Sequence, residues 1–396
     1  MPGHRKDQED LVVNMPIVVG LGGGVDSVEA TLELLRDPIA LRYLREGAVM
    51  MAQTGHEWPD TADDLEQVLF PRLAEARVRT IQVARRGLRK RDGVVILDDT
   101  DRPNTCYIRP TPGRWYFTLG REMLLGGTIP QLSGARTCSQ RSKGTPLDEV
   151  REQQVTRGRR YLHLVGFEVR EARRIARDQR YDTDLRCGWY PLAEQGKDRA
   201  ACLAGIRDKT GRTWSGKSAC SFCPFSLTGP TGRTRALDRF ERFPEEGALP
   251  LAMEEVAIRL NLAQGLAGMD KRTRTGIRLL TLMTARPALA PILAQHQARL
   301  ERIRWAVYLV QRAVLTPTNV PRRIVALHTG NRAEMHTQLD QLARHAQVDE
   351  IGGVRRVWRR RRGPALPTAE EFYVAAPFIG AEKHRPGFWR MWGRTQ

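Results

Sequence analysis

Residues 20–30, GLGGGVDSVEA, decide the fold of the first part of the chain. They follow the apolar, strand-like run MPIVV and lead into a stretch with apolar residues at helical spacing. In a glycine-rich turn between a strand and a helix, backbone N–H groups and the helix dipole can hold an anion. The pattern therefore predicts a phosphate cradle at Gly22, Gly23 and Gly24. Asp26 and Ser27 follow, where they can cap the helix or reach the phosphate and its metal.

Strand-like and helix-like segments alternate through the first half of the chain. The strand-like runs are PIVVGL, AVMMAQ, RTIQVAR and RYLHLVGF, and the helix-like stretches are VDSVEATLELLRD, ADDLEQVLFPRLAEA and EVREARRIAR. Strands separated by helices of this length imply βαβ units, whose strands pair in parallel. The sequence therefore predicts an α/β fold built on a parallel sheet.

Two common nucleotide-binding motifs are missing from the glycine stretch. It lacks the G-x-G-x-x-G spacing of dinucleotide-binding folds, and no Gly-Lys-Ser/Thr closes it as in a Walker loop. GGGVDS, residues 22–27, instead resembles the S-G-G-x-D-S loop of the PP-loop ATP pyrophosphatases. Gly22 stands where that loop has its first serine, and the other four defined positions match.

Four further stretches resemble the phosphoadenosine phosphosulfate (PAPS) reductase branch of that superfamily. They are QTGHEWPDT (53–61), RTCSQRSKGTPL (136–147), GFEVREARR (166–174) and WYPLAE (189–194). They occur in the order found in the family, so the resemblance covers roughly residues 15–230. Gln53 and Asp60 depart from the Asp and Glu of the family's D-T-G-x-x-x-P-E-T segment.

The resemblance implies an adenine nucleotide alpha hydrolase-like domain that binds ATP with Mg²⁺. Such domains split ATP between its α- and β-phosphates and release pyrophosphate, leaving an adenylated substrate. The resemblance gives catalytic roles to Asp26, Ser27, Lys143 and Arg174, the last two neutralising charge on the phosphates. The nucleotide-binding residues that it implies are Gly22, Gly23, Gly24, Asp26, Ser27, Thr54, Gly55, Lys143, Gly166, Glu171 and Arg174.

The cysteine spacing indicates a metal site. Cys220-x-x-Cys223 can chelate one metal centre, either zinc or an iron–sulfur cluster. Because such centres usually need four ligands, Cys138 and Cys202 are the expected completions. The assimilatory reductases carry a [4Fe–4S] cluster at a similar spacing, so the resemblance favours that cluster. Structural zinc (Zn²⁺) and a simple buried pair of thiols are the alternatives.

The charge of the chain favours a polyanionic partner. Its 396 residues include 64 Lys plus Arg against 45 Asp plus Glu, a net charge of +19. Such an excess suits DNA or tRNA, although an Arg-rich composition inherited from a GC-rich genome would give the same total. The densest cluster is RRVWRRRR, residues 355–362. It is interpreted either as a phosphate grip with Trp358 available for stacking, or as a solvated basic face.

The last part of the chain differs in character from the first. Helical spacing in LAMEEVAIRLNLAQGL and ALAPILAQHQARLERIRWAVYLVQRAVL predicts a mainly helical, Arg-rich region at 236–396, after a nucleotide-binding domain at 1–235. Residues 85–135, rich in Gly, Pro and Arg, are expected to form a lid or a variable loop. No apolar run reaches the roughly eighteen residues of a membrane span, and MPGHRKDQED lacks the apolar stretch of a signal peptide, so a cytoplasmic protein is expected.

Three functions stay open at this point. The favoured one is an AMP-forming enzyme that transfers sulfur to nucleic acid, or otherwise modifies it, with a sulfur-donor protein as a further partner. Known sulfonucleotide (PAPS/APS) reductases use a cysteine in a C-terminal tail, and no cysteine follows Cys223 here. A reductase of this sequence would therefore depend on Cys106 or Cys138. The third function is a non-catalytic, nucleotide-sensing protein that binds nucleic acid.

Overall fold

The computed structural model describes residues 15–130, 132, 137–261, 265–268, 276–379, 383 and 386–395. The chain folds into two compact units. The first unit comprises residues 1–119 and 135–220, and the second comprises residues 120–134 and 221–396. The division after Cys220 differs from the expected boundary at residue 235, because residues 221–235 belong to the second unit.

A six-stranded mixed sheet forms the centre of the first unit. Its strands are β1 (Ile17–Gly20), β2 (Ala48–Ala52), β3 (Thr80–Arg85), β4 (Val94–Thr100), β5 (Tyr161–Val165) and β6 (Arg186–Trp189). They lie in the order β4-β3-β2-β1-β5-β6, and only the β3–β4 pair is antiparallel. The predicted α/β class and its mostly parallel sheet are confirmed.

Helices flank this sheet along the chain. They are α1 (Val25–Arg36), α2 (Pro38–Glu46), α3 (Pro59–Asp64), α4 (Phe70–Glu75), α6 (Thr137–Ser139), α7 (Thr145–Val150), α8 (Ala172–Asp178), α9 (Pro191–Glu194) and α10 (Arg199–Thr210). Helix α5 (Leu119–Leu125) begins at residue 119 and belongs to the second unit from residue 120 onward. Short π-helical segments lie at Leu65–Leu69, Gln140–Gly144 and Arg151–Thr156. Among the described residues, no helix combines the length and the apolar character needed to cross a membrane.

Strand β1 is buried on both faces. Ile17 and Val19 face a core shared with α1, and each has no exposed surface. Val18 points the other way, into a second core with Ile81 and Val83 of β3. A parallel strand covered on both faces is apolar at nearly every position, which explains the run MPIVV. This burial fixes the strand whose end carries the glycines.

Residues 85–135 contain more regular structure than expected. Strand β4 lies within them and pairs with β3 at the edge of the sheet. The prediction of a lid or loop is therefore wrong for Val94–Thr100. A short 3-10 turn, Lys90–Asp92, joins the two strands, and Gly93 follows it with a φ of +74°.

The second unit contains a five-stranded antiparallel sheet. Its strands are β7 (Trp305–Val314), β8 (Arg322–Gly330), β9 (Gln347–Ile351), β10 (Val354–Arg360) and β11 (Thr368–Pro377), in the order β8-β7-β11-β10-β9. Its helices are α11 (Gly229–Arg242), α12 (Ala248–Asn261), α13 (Leu279–Thr284), α14 (Ala290–Arg302), α15 (Arg332–Ala343) and α16 (Phe388–Gly393). The prediction of a mainly helical C-terminal region is therefore wrong.

The misassigned segment is β7, which the sequence predicted to continue a long helix. Helix α12 covers one face of the sheet, where Tyr308 and Val310 pack. Helix α15 covers the other face, where Trp305 and Val307 pack. Because both faces are covered, β7 is apolar from Trp305 to Val310 and lacks there the alternation that marks a half-buried strand. Its aromatic and β-branched side chains are the signal that favoured a strand.

Candidate nucleotide site

The glycine stretch lies where the order of the first sheet reverses. Strands β2 and β3 extend to one side of β1, and β5 and β6 extend to the other side. In open α/β sheets, ligands bind in the crevice outside the carboxyl ends of the strands at such a switch point. Gly20 ends β1 and Val165 ends β5. The predicted site residues at 22–27 and 166–174 therefore both start from this crevice.

The glycine loop, residues 21–27, is held by its own serine. The N–H of Gly22 donates to Ser27 Oγ at 3.3 Å, and Ser27 Oγ donates to the carbonyl of Gly24 at 3.0 Å. Gly23 has a φ of +71°, a conformation that favours glycine. The hydroxyl of Ser27, predicted to be catalytic, thus braces the loop that it belongs to.

Helix α1 begins directly after the glycines. Gly24 is its N-cap, and no side chain caps the first turn. The first backbone N–H groups of a helix have no partner within the helix, and the helix dipole places partial positive charge at this end. The backbone N–H groups at this helix start are therefore without a side-chain cap, with Asp26 in the first turn, and their role as an anion cradle stays a prediction.

Gly166 is the closest neighbour of this helix start in the segment after β5. A Cβ atom at Gly166 would lie 2.6 Å from the Cα of Ser27 and 2.7 Å from the carbonyl carbon of Asp26. These are backbone atoms, which cannot move aside as a flexible side chain could. The structure thus brings Gly166 together with Asp26 and Ser27, three residues for which the resemblance implies nucleotide contact.

Asp26 sits among charged side chains from three parts of the chain. Its Oδ2 accepts from Arg199 at 3.3 Å, while its buried Oδ1 has no hydrogen-bond partner. Burial raises the pKa of Asp26, and the carboxylates of Glu171 and Glu168 add to this rise. The charges of Arg199 and Arg174 oppose it. We call Asp26, Glu168, Glu171, Arg174 and Arg199 the charged cluster.

Glu171 and Arg174 form an ion pair one helical turn apart. The guanidinium of Arg174 also lies over the ring of Phe167, 4.4 Å from its centroid. Phe167 in turn stacks on Tyr190, with ring centroids 6.0 Å apart. Glu171 Oε2 is buried without a hydrogen-bond partner. The structure thus places both predicted residues beside Asp26, with Arg174 held by a carboxylate and a ring.

The stretch after β2 also lies at this edge of the sheet. Gly55 has a φ of +87°, and a Cβ there would lie 2.4 Å from the Cγ2 atom of Thr118. Thr54 Oγ1 lies 3.1 Å from Cys220 Sγ. Gln53 donates from its side-chain amide to Gln82 at 2.8 Å, so it is used inside the sheet. These contacts do not join Thr54 or Gly55 to the charged cluster, so their predicted nucleotide contact stays a prediction.

His56 is neutral at ordinary pH. Burial lowers its pKa to about 3, and the charge of Arg109 adds to the effect. A neutral imidazole can donate or accept hydrogen bonds but brings no charge to a phosphate. His56 is therefore not a source of positive charge in this part of the molecule.

Sequence reasoning missed a segment that holds the glycine loop in place. Ser218 Oγ lies 2.5 Å from the carbonyl oxygen of Gly22 and 2.9 Å from Glu57 Oε2. The N–H of Ala219 donates to the other oxygen of Glu57 at 2.6 Å. Residues separated by more than 150 positions thus meet at the loop. A local sequence pattern does not predict a contact between such distant residues.

One signal for this segment does exist in the sequence. Residues 211–218, GRTWSGKS, have the G-x-x-x-x-G-K-S spacing of a Walker loop. A Walker loop follows a strand and opens a helix, whereas this segment follows helix α10 and leads into a β-bridge at Cys220. The segment is therefore not a Walker loop, although its serine supports the glycine loop.

Lys143, a predicted phosphate ligand, takes no part in the contacts described for the glycine loop. It lies half-buried in the π-helical segment Gln140–Gly144. That segment packs beside β2 and β3. Its neighbours Gln140 and Arg141 line a separate groove, at the end of β3. The role of Lys143 toward a nucleotide stays a prediction.

The four predicted metal ligands occupy different settings. Cys202 has no exposed surface and packs in the first hydrophobic core, where burial raises the pKa of its thiol to about 12. Cys138 lies in the one-turn helix α6. Cys220 closes the first unit, and Cys223 falls in the second. Across the described parts of the chain, no three His, Cys, Asp or Glu side chains are grouped to hold a metal. The cysteines thus give no support for a shared cluster, which stays a prediction.

The basic run at 355–362 is largely part of the second sheet. Arg356 is fully buried and donates to the carbonyl of Ile258 at 2.6 Å. Trp358 packs on Phe372, with ring centroids 5.1 Å apart, and only 9% of it is exposed. The expectation that Trp358 is available for stacking is therefore wrong, because its ring fills the core.

Three exposed arginines of this run, Arg355, Arg359 and Arg361, have carboxylate partners. Arg359 pairs with Glu371 at 3.1 Å, and Arg361 pairs with Asp349 at 2.6 Å. Ion pairs of this kind reduce the charge available to an incoming phosphate. The run is therefore a weaker phosphate grip than its sequence indicated.

Comparison with known proteins gave no match. No family model, no curated protein and no solved structure matches this chain.

Proposed function

We propose that the first unit binds ATP at the glycine loop and transfers its adenylyl group to an acceptor in nucleic acid. The observation that carries the proposal is the packing of Gly166 against Ser27 at the switch point of the sheet. This packing brings the uncapped start of α1 and the charged cluster to one crevice, as a bound nucleotide phosphate would require. The resemblance of GGGVDS to the PP-loop supports the same reaction.

In this reaction an acceptor oxygen attacks the α-phosphorus of ATP. The new bond joins that oxygen to the α-phosphorus, the bond from the α-phosphorus to the bridging oxygen breaks, and pyrophosphate leaves with the electron pair. The N–H groups at the start of α1 would bind phosphate oxygens, and Arg174 and Arg199 would offset their charge. Mg²⁺, when bound, would neutralise phosphate charge, and Asp26 Oδ1, buried without a hydrogen-bond partner, fits a ligand to it.

The experiment is ATP–pyrophosphate exchange with Mg²⁺ and total tRNA or plasmid DNA as acceptor, together with equilibrium binding of ATP. Asp26→Asn keeps the size of the side chain and removes its charge, so we expect exchange to fall by about 100-fold or more with the melting temperature unchanged. Asp208→Asn is the matched control, because Asp208 is an exposed carboxylate of the same unit. Wild-type exchange in Asp26→Asn would show that the phosphate-loop assignment is wrong.

The same assays separate the other two functions. Tight ATP binding without pyrophosphate release would favour the nucleotide-sensing protein. Release of sulfite from a sulfonucleotide would favour the reductase. The buried thiol of Cys106 gives that route little support, because burial raises its pKa to about 12 and so disfavours the thiolate.

A further inference from the structure

A basic groove opens at the end of β3, separate from the glycine loop. It has a volume of about 520 Å³ and is lined from two parts of the first unit, residues 85–94 and 140–149. Four cationic side chains line it, those of Arg85, Arg89, Lys90 and Arg141. Among the lining residues that the structure describes, Glu149 carries the one carboxylate. The groove is therefore positively charged on balance.

The groove lies at the same edge of the sheet as the glycine loop. Arg85 is the last residue of β3 and Gly20 is the last residue of β1, and both strands run parallel to β2 between them. Because neighbouring strands lie about 4.8 Å apart, about 10 Å separates β3 from β1. The groove thus lies two strands away from β1, at the same edge of the sheet as the nucleotide crevice.

The side chains of the groove suit a phosphate backbone better than bases. Arg89 and Lys90 are exposed on the turn between β3 and β4, where their long side chains can follow a flexible strand. No aromatic side chain is found among the groove's described lining residues, so these residues offer no platform for base stacking. Contacts to phosphates bind nucleic acid with little regard to sequence and with strong dependence on salt.

We propose that this groove binds the phosphodiester backbone of the nucleic-acid acceptor. The proposal rests on the proposed function only in naming the bound nucleic acid as the acceptor, since its binding can be measured without turnover. The proposed contact with nucleic acid therefore lies in the first unit and not at residues 355–362. The alternative ligand for the groove is a small anion such as pyrophosphate, and the experiment distinguishes the two ligands.

The test is the binding of fluorescent single strands, dT and dA oligomers of about twelve nucleotides, measured by anisotropy between about 50 and 200 mM salt. For Arg89→Gln/Lys90→Gln we expect the slope of log affinity against log salt to become shallower by about 1.4, since each lost phosphate contact removes about 0.7. The dT and dA oligomers should change alike. The matched control is Arg359→Gln/Arg361→Gln, which removes two arginines that have carboxylate partners and should leave the slope unchanged.

An unchanged slope in the Arg89→Gln/Lys90→Gln variant would overturn the proposal. So would a loss of pyrophosphate binding with unchanged oligomer binding, which would make the groove a small-anion site. ATP binding is measured on the same variant and should stay at the wild-type level. If the wild-type protein binds no ATP but its oligomer binding depends on Arg89 and Lys90, the proposed function fails and the groove stands.

Discussion

A Cβ atom placed on Gly166 would lie 2.5 Å from the backbone nitrogen of Ser27. That nitrogen belongs to the first turn of α1, which carries the glycine loop at its start. The segment after β5 is thus in van der Waals contact with the first turn of the helix that follows β1. Only glycine permits this approach, because the atoms it meets are backbone atoms.

Gly166→Ala is expected to push these two segments apart. Because the helix start and the charged cluster would then be misaligned, we expect ATP affinity to fall by about tenfold or more. Equilibrium binding of ATP measures the effect. Gly113→Ala is the control, since a Cβ at Gly113 meets no atom within 4 Å and its φ is not positive. Equal affinities for both variants would mean that the Gly166 contact does not shape the site.

Ser218→Ala is expected to loosen the glycine loop. It removes a hydroxyl that contacts both the carbonyl of Gly22 and the carboxylate of Glu57, which leaves Glu57 short of a partner in a buried setting. We expect a loss of about 1–3 kcal/mol in the free energy of unfolding and weaker ATP binding. Ser215→Ala, which removes a hydroxyl bound to Asp64 in the same segment, is the comparison. Ser215→Ala should lower the free energy of unfolding but leave ATP affinity unchanged. A larger loss of ATP affinity in Ser215→Ala than in Ser218→Ala would refute the role of Ser218.

His56 makes stability depend on pH. Its pKa is about 3 in the folded chain and about 6.5 in the unfolded chain, so acid protonates the unfolded state first. As the pH falls from 6.5 to 5, this difference should lower the free energy of unfolding by about 2 kcal/mol. Urea unfolding at both pH values measures it. His56→Asn should remove this share of the pH dependence and keep the shares of His163, His296 and His336, whose pKa values burial also lowers. An unchanged pH dependence in His56→Asn would contradict the prediction.

Cys202→Ala tests the four-cysteine site. Because the thiol packs in an apolar core, we expect the variant to lose about 1–2 kcal/mol of stability and to keep the iron, sulfide and zinc content of the wild-type protein. Both proteins are purified without oxygen and analysed for metal. Cys220→Ser is analysed in parallel, since it changes the cysteine of the C-x-x-C pair that contacts Thr54. Loss of metal in Cys202→Ala would establish Cys202 as a ligand, against this expectation.

The first sheet and the glycine loop could be predicted because both depend on neighbours in sequence. The run MPIVV, three glycines and a helical pattern follow one another directly, and their local geometry leaves few alternatives. Gly166, Glu171 and Arg174 were predicted from a resemblance, since nothing in their own spacing connects them to Asp26.

The unpredicted features depend on partners far away in the sequence. Ser218 acquires its role only from Gly22 and Glu57, and Arg199 acquires its role from Asp26. The error at β7 has a different cause. An apolar run covered on both faces shows neither the helical nor the strand repeat of apolar residues. The helical pattern of the residues just before β7 therefore led to the prediction that the helix continues through it.

The contact between Ser218 and Gly22 spans 196 positions, and this has a consequence for the growing chain on a ribosome. Gly22 is made early, but its partner emerges only after about 10–40 s of further synthesis at 5–20 residues per second. During that interval the glycine loop of the nascent chain lacks the hydrogen bond from Ser218 to Gly22. The glycine loop therefore reaches its final, supported form late in translation, well after the strand that precedes it has been made.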